Sequence, residues 1–170
     1  MSRTDPTALL EPQIPALRRY ARALVGDPDV ADDLVQDCLE RALSRWWMRR
    51  PGEDPRPWLF TILRNLHLDR LRQRRRQGRA VAIDEDAMPA IAPDQDGGLG
   101  VRDALAALEL LPEEQKSLLL LVGVEDLSYE EAARVLGIPI GTVMSRLARG
   151  RQRFRAILET GRIPLLRRVK

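Results

Sequence analysis

The amino-acid sequence predicts an all-α protein in which a three-helix N-terminal bundle and a C-terminal helix-turn-helix domain are joined by a flexible acidic linker. Charged side chains make up 31% of the 170 residues and aromatic side chains only 4%. The many leucine, alanine, arginine and glutamate side chains lose little rotamer freedom in a helix. Apolar residues recur at helical spacing in two blocks, and a segment without periodicity separates them. The predicted boundaries are residues 1–77 for the first domain, 78–100 for the linker and 101–170 for the second domain.

Three helices are predicted in the first domain. Residues 14–25 have apolar side chains at helical spacing, and Gly26 and Pro28 end this helix. Asp29 is expected to cap the second helix, which the run RRPGEDPRP ends, and the third helix then passes from apolar residues into arginines. The apolar stripe of the second helix consists of Val30, Leu34, Val35, Cys38, Leu39, Ala42 and Trp46. Three such helices can pack into a compact bundle of about 75 residues.

The linker separates two strongly basic segments, residues 64–76 and 146–155. It contains prolines and glycines and, fully extended, its roughly 24 residues reach at most about 80 Å. Its acids are Asp84, Glu85, Asp86, Asp94 and Asp96, against one base, Arg79. Two basic segments predict two surfaces that bind polyanions, and the alternative is that both are solvated helix faces.

Four helices are predicted in the second domain. Residues 101–111 form the first, and Pro112 opens the second at a first-turn position where its missing N–H costs nothing. Ser128 and Glu131, three residues apart, form a capping box before the third helix. Gly137 supplies the left-handed residue of the turn, and the last helix follows it directly.

The last two helices form the helix-turn-helix geometry, in which the second helix enters the major groove of DNA. Its apolar inner face consists of Val143, Leu147, Phe154 and Leu158. Gly150, inside this helix, costs about 1 kcal/mol relative to alanine. Arg149 is the best candidate for a bidentate contact with guanine, and the other arginines are better suited to phosphates. The side chains predicted to face DNA are Thr142, Met144, Ser145, Arg146, Ala148, Arg149, Arg151 and Gln152.

Several classes of protein lack support in the sequence. No run of about 18 apolar residues predicts a membrane span, and the N-terminus lacks the order of a signal peptide, so we expect a cytoplasmic protein. Cys38 and His67 are each the only residue of their type, which excludes an internal disulfide and argues against a zinc site. There is no Gly-rich phosphate loop or paired-carboxylate motif. We therefore expect no catalytic residue, no metal and no cofactor.

The three tryptophans suggest base stacking, but packing is the simpler interpretation for one of them. Trp58 begins the apolar stripe of the third helix and is expected in the core. Trp46 and Trp47 are adjacent, so both cannot point into the same core, and one of them is expected to be partly exposed. Cys38 and His67 are expected to pack inside.

Two parts of the chain resemble one family. The stretch LPEEQKSLLLLVGVEDLSYEEAARVLGIPIGTVMSRLARGRQRF is similar to the promoter-reading C-terminal domain of bacterial sigma factors of the extracytoplasmic-function (ECF) type. ADDLVQDCLERAL resembles the polymerase-binding helix of this family, and WLFTILRNLHLDRLRQRRR resembles its promoter-melting helix. The resemblance covers about residues 12–160 in the order of the family, with a linker between the two domains.

The resemblance implies three binding surfaces. The helix-turn-helix would read the −35 promoter element, and the loop RRPGEDPRP would form the pocket for a flipped base. The face around DLVQD would bind the clamp helices of the large RNA polymerase subunit, although from the residues alone a solvated helix face is the simpler interpretation. The implied polymerase-binding residues are Asp33, Leu34, Gln36, Asp37 and Arg41. Those implied at the −10 element are Arg64, Asn65, Asp69, Arg70, Arg72 and Arg74.

These expectations combine into one function. The chain would be a sigma factor that binds core RNA polymerase, recognises −35 and −10 promoter elements and initiates transcription of a specialised, stress-response regulon. Its partners would be core polymerase, promoter DNA and an anti-sigma factor, the last implied by the family alone. The alternative is a stand-alone helix-turn-helix regulator that binds duplex DNA as a dimer. The acidic linker resembles the family segment that enters the RNA-exit path of the polymerase, and a plain solubilising linker is equally consistent with its composition.

Overall fold

The computed structural model describes residues 5–78 and 99–160, and these residues form α-helices and short 3-10 turns without a strand. They divide into two compact units, one within Met1–Ala92 and one within Pro93–Lys170. The predicted all-α fold class is confirmed. The predicted linker, residues 78–100, lies outside the described residues except at its two ends. Across the described ranges, no helix has both the length and the apolar character that crossing a membrane requires.

The N-terminal unit consists of a short lead-in and the three predicted helices. Its elements in chain order are α1 Pro6–Leu10, a 3-10 turn Glu11–Gln13, α2 Ile14–Val25, α3 Pro28–Ser44, a 3-10 turn Trp46–Met48 and α4 Pro55–Gly78. The bounds of α2 agree with the prediction. The sequence did not predict α1 or the two 3-10 turns, because segments of three to five residues are too short to show a period.

The start of α3 differs from the prediction. Asp27 is the N-cap, since its Oδ1 accepts hydrogen bonds from the backbone N–H groups of Asp29 at 2.8 Å and Val30 at 3.1 Å. Pro28 lies in the first turn of the helix, where its fixed φ is compatible with the helix. The absence of an N–H costs nothing there, because N–H groups of the first turn have no acceptor within the helix. The predicted cap at Asp29 is therefore wrong, and Gly26, with a φ of 76°, ends α2 without help from Pro28.

The core of the N-terminal unit is formed by the inner faces of α2, α3 and α4. Tyr20 of α2 and Phe60 of α4 meet edge to face, with ring centroids 5.1 Å apart. Cys38 of α3 is fully buried, and its Sγ donates to the Leu59 carbonyl at 3.5 Å. Burial raises the pKa of this thiol to about 12. His67 is also buried, so both residues pack inside as expected.

In residues 99–160, the described part of the C-terminal unit, the chain forms four helices. They are α5 Leu99–Glu109, α6 Glu113–Gly123, α7 Tyr129–Leu136 and α8 Ile140–Thr160. Helix α8 packs against each of the other three. Buried side chains of α6, α7 and α8 meet in one cluster, which consists of Leu118, Ala132, Val143 and Leu147. This packing fixes the first turns of α8, where the predicted base-reading residues lie. The predicted end of this helix at Gly161 and Pro164 falls outside the described residues.

A buried lysine joins α5 to α6. Lys116 Nζ lies 2.7 Å from Glu109 Oε1, and the Lys116 side chain is only 4% exposed. Glu125, in the turn after α6, is also buried. Because a charge removed from water is stable only when it is paired, the Lys116–Glu109 contact holds α5 and α6 in one arrangement.

Candidate nucleic-acid and polymerase interfaces

The turn between α7 and α8 forms as the sequence predicts. Ser128 Oγ accepts a hydrogen bond from the Glu131 N–H at 3.1 Å, and Glu131 Oε2 accepts one from the Ser128 N–H at 2.8 Å, which completes the capping box. Gly137 is left-handed, with a φ of 64° and a ψ of 37°. The Ile138 N–H then donates to the Ala133 carbonyl at 3.1 Å and closes the end of α7. These contacts position α8 relative to α7.

The first half of α8 buries one face and exposes the other. Val143 is fully buried and Leu147 nearly so, whereas Met144 is 52% exposed. Thr142 and Arg146 are half-buried. The other side chains predicted to face DNA are exposed, namely Met144, Ser145, Ala148, Arg149, Arg151 and Gln152. The helix therefore presents most of the predicted residues on a common outward side.

Arg149 is oriented by its own helix. Its Nε donates to the Ser145 carbonyl at 3.3 Å, and Ser145 Oγ donates to the Thr142 carbonyl at 3.2 Å. The Nε bond uses one of the five N–H donors of the guanidinium. The remaining four are on the terminal nitrogens, which are the groups that a bidentate contact with guanine needs.

Arg146 has a different environment from the other arginines of α8. Its Nη1 lies 2.8 Å from Glu114 Oε2 of α6, and its side chain is 29% exposed. The sequence predicts a phosphate contact for Arg146, whereas in the structure Arg146 forms an ion pair that joins α8 to α6. Glu114 was not predicted as its partner, because an ion pair between helices leaves no local spacing in the sequence.

Gly150 lies where α8 crosses α6. A Cβ built on Gly150 would lie 3.5 Å from Gln115 Cβ and 3.5 Å from Leu119 Cδ1, which are ordinary van der Waals distances. The helix continues through this glycine without a break. Beyond the crossing the predicted inner face becomes more open, since Phe154 is half-buried and Leu158 is 40% exposed.

The residues predicted to bind polymerase lie on α3, but not all on its surface. Asp33, Gln36 and Asp37 are exposed, and Arg41 is half-buried. Leu34 is fully buried, so its side chain belongs to the core of the unit. Asp37 and Arg41 also line an open cleft, whose other lining residues are Glu40, Ser44, Arg45 and Leu66.

The residues predicted to contact the −10 element all lie on α4. Asn65, Asp69, Arg72 and Arg74 are exposed, and Arg64 is half-buried. Arg72 Nη1 lies 2.9 Å from Asp69 Oδ1, one turn earlier on the same helix.

Arg70 is also half-buried and makes a contact with another helix. Its Nη2 lies 2.6 Å from Asp37 Oδ2 of α3. The structure thus brings together one residue from each of the two predicted surfaces.

The tryptophans agree with the prediction for Trp46 and Trp47 but not for Trp58, which was expected in the core. Trp46 and Trp58 are half-buried and meet edge to face with centroids 6.1 Å apart, and the Arg49 guanidinium carbon lies 4.7 Å from the Trp46 ring centroid. Trp47 is 81% exposed, which confirms that only one of the adjacent pair packs inward. Trp58 is less buried than a core residue would be.

Family models match both units. The model described as the sigma2 domain of PhyR matches residues 10–64, and the model described as sigma-70 region 4 matches residues 102–154. The ECF RNA polymerase sigma factor EcfG of Rhodopseudomonas palustris (strain TIE-1) is 42% identical over 151 residues, covering 85% of this chain and 80% of that protein. The chain belongs to the ECF RNA polymerase sigma factors.

Solved structures agree with this family. This sigma factor matches the sigma factor RpoE of Bartonella quintana, solved in complex with the anti-sigma factor NepR, with a TM-score of 0.74 and 36% identity over 92% of this chain and 99% of that chain. It also matches CnrH, solved in complex with the cytosolic domain of CnrY, with a TM-score of 0.69 and 25% identity over 91% of this chain and 88% of that chain. The predicted family and the predicted function as a sigma factor are confirmed.

Proposed function

We propose that this sigma factor binds core RNA polymerase through α3, engages the −10 element through α4 and places α8 in the major groove of the −35 element. The observation that carries the proposal is that α8 is amphipathic. Its inner face is buried in the core of the C-terminal unit, and its exposed face is polar and basic. The proposal assigns the −10 and −35 elements to separate domains, residues 1–77 and 101–170, with residues 78–100 as the linker.

At the −35 element, Met144, Ser145 and Arg149 would meet base edges. The bond from Arg149 Nε to the Ser145 carbonyl holds the stem of the side chain along the helix, so its terminal nitrogens can approach guanine O6 and N7 together. Such a bidentate contact is worth about 1–3 kcal/mol of discrimination against the wrong base. Met144 offers an apolar surface to a thymine methyl group, and Arg151 supports binding through phosphate.

At the −10 element, Asn65 and Asp69 would read one unstacked base. They lie four residues apart on α4, a spacing that places them on one side of a helix. Arg72 holds the Asp69 carboxylate at 2.9 Å and so orients it before DNA arrives. Arg72 and Arg74 add positive charge along the path of a single strand. Keeping a base unstacked costs a few kcal/mol, which these contacts together would offset.

The polymerase would meet the exposed side chains of α3. Asp33, Gln36 and Asp37 offer acceptors and negative charge, which steer a cationic partner and speed its association. Arg41 lines the cleft beside Asp37 and adds a donor. Leu34 supports this surface from beneath, because its burial holds α3 against the core.

An anti-sigma factor is the proposed inhibitor, and a stress-response regulon is the proposed output. The support for the inhibitor is two solved complexes of similar proteins, the sigma factor RpoE with the anti-sigma factor NepR and CnrH with the cytosolic domain of CnrY. A factor that acts on core polymerase and promoter DNA works in the cytoplasm, and this role requires binding surfaces and no catalytic chemistry of its own.

The test is association with core RNA polymerase followed by run-off transcription. We expect the purified chain to co-purify with core polymerase and to start transcripts from a promoter that carries both elements. Asp33→Asn should weaken core association, whereas the matched change Asp29→Asn, on the same helix but outside the proposed surface, should not. A chain that neither bound core polymerase nor started transcripts would contradict the proposal.

A further inference from the structure

Arg70 and Asp37 belong to two different proposed interfaces, yet they form one ion pair. Arg70 Nη2 lies 2.6 Å from Asp37 Oδ2, and Arg70 Nη1 also donates to the Val30 carbonyl at 3.5 Å. The pair joins α4 to α3 between residues 33 positions apart in the sequence. The side chains are 29% and 49% exposed, so both remain within reach of a partner.

Such a pair limits what each member offers to a partner. While Asp37 holds it, the Arg70 guanidinium presents less positive charge to a phosphate, and the Asp37 carboxylate presents less negative charge to a cation. An ion pair at this exposure is weak and exchanges partners readily. A phosphate or a cationic side chain of the polymerase can therefore replace the internal partner.

We propose that the Asp37–Arg70 pair couples core polymerase binding to binding of the opened −10 strand, an inference that rests on the function proposed above. A cationic group of the polymerase at Asp37 competes with Arg70 and frees the guanidinium for a phosphate of the strand. Linkage makes the coupling reciprocal, so DNA at Arg70 strengthens the polymerase contact of Asp37 by the same factor. The free chain keeps part of its affinity for DNA masked until the polymerase is bound.

The surroundings distinguish this pair from other ion pairs of the N-terminal unit. Asp37 lines an open cleft, so a partner can approach its carboxylate from the side. The Asp69–Arg72 pair lies within α4, and both members are assigned to the −10 surface, so it links no second interface. The Arg18–Asp32 pair joins α2 to α3, but neither member is assigned to a binding surface.

The test measures binding of the free full-length chain to a fluorescent single-stranded oligonucleotide at low salt, where an arginine-rich surface binds measurably. Asp37→Asn removes the carboxylate charge and keeps the size of the side chain. We expect about a two- to fivefold gain in affinity, the range that the strength of a surface ion pair allows. The slope of the logarithm of the affinity against the logarithm of the salt concentration should become steeper by about 0.7, which corresponds to one more neutralised phosphate on a single strand. In an Arg70→Gln background, Asp37→Asn should have no more effect than the control.

Asp32→Asn is the matched control. It removes the same charge from the same helix and breaks an interhelical pair of comparable exposure, with Arg18 at 3.5 Å. An equal gain for Asp32→Asn and Asp37→Asn would overturn the proposal, because net charge alone would then explain the result. A gain for Asp37→Asn that persists without Arg70 would overturn it as well. Asp37→Ala is measured beside Asp37→Asn, and circular dichroism melts establish that each variant is folded.

The coupling has a second readout with core polymerase. A saturating −10 strand should raise the affinity of the wild-type chain for core polymerase by about two- to fivefold. Arg70→Gln should raise the affinity for core polymerase without DNA by about the same factor, because it frees Asp37, and the −10 strand should then add no further gain. Transcription by the wild-type chain tests the proposed function independently. Normal transcription without this gain would refute the coupling alone, and failure to bind core polymerase would refute the proposed function.

Discussion

Replacing Gly150 by alanine is expected to stabilise the C-terminal unit. Gly150 lies inside α8, where glycine costs about 1 kcal/mol relative to alanine because it loses more backbone freedom on folding. The added methyl group would lie 3.5 Å from Gln115 Cβ and Leu119 Cδ1, so it makes contact without overlap. The expected gain is about 1 kcal/mol, which is roughly 4–8 °C in the melting temperature of a small domain.

Two probes separate the unfolding of the two units in one sample. The 3 tryptophans lie at positions 46, 47 and 58, so their fluorescence reports the N-terminal unit, while far-UV circular dichroism reports both. Gly150→Ala should shift the circular dichroism transition to higher temperature and leave the fluorescence transition in place. Gly137→Ala is a control with the opposite sign, because a left-handed φ of 64° disfavours any side chain. A loss of stability in Gly150→Ala would refute the conclusion that the helix crossing has room for a methyl group.

Three further predictions concern Arg149, Leu34 and Cys38. Arg149→Gln should relax base preference at one −35 position by about 1–3 kcal/mol, whereas Arg151→Gln should weaken binding to all sequences alike. Holoenzyme binding to promoters with single-base changes distinguishes these outcomes, and a uniform loss for Arg149→Gln would contradict base readout. Leu34→Ala should lower the free energy of unfolding of the N-terminal unit by about 2–5 kcal/mol in fluorescence-detected urea melts, since the side chain is fully buried. An unchanged urea midpoint would mean that α3 packs differently. The Cys38 thiol, whose pKa burial raises from 9.0 to about 12, should resist alkylation at pH 8 until urea unfolds the chain. Because only the unfolded thiol loses its proton above pH 9.0, stability should fall between pH 9.0 and about 12 relative to Cys38→Ala in the same series.

Helix positions were predictable wherever apolar spacing and a terminal signal agreed. Helix α2 has the predicted bounds because Gly26 adopts a conformation that stops it. The capping box at Ser128 likewise places the start of α7. The sequence signals misplace the start of α3, because a proline that follows one helix can also occupy the first turn of the next.

The spacing of residues along the sequence does not predict which side chains of different helices contact each other. Asp37 and Arg70 each received a binding role from the family resemblance, and their pairing depends on how α3 and α4 pack. For Leu34 the two kinds of prediction disagree. Apolar spacing predicts that Leu34 belongs to the buried stripe of its helix, whereas the family resemblance implies that it binds the polymerase. The structure buries it, because a shared motif records residue types and not the direction in which each side chain points.

The burial of Lys116 has a consequence for how the charge of the chain can be altered. Lysine and arginine together number 28 in the 170 residues, and lysine occurs among them only at positions 116 and 170. Lys116 is enclosed and paired with Glu109, and the cations of α4 and α8 are all arginines. Acetyltransferases act on lysine, and the guanidinium of arginine stays protonated at every physiological pH. The positive charge of these two helices is therefore insensitive both to lysine acetylation and to cellular changes in pH.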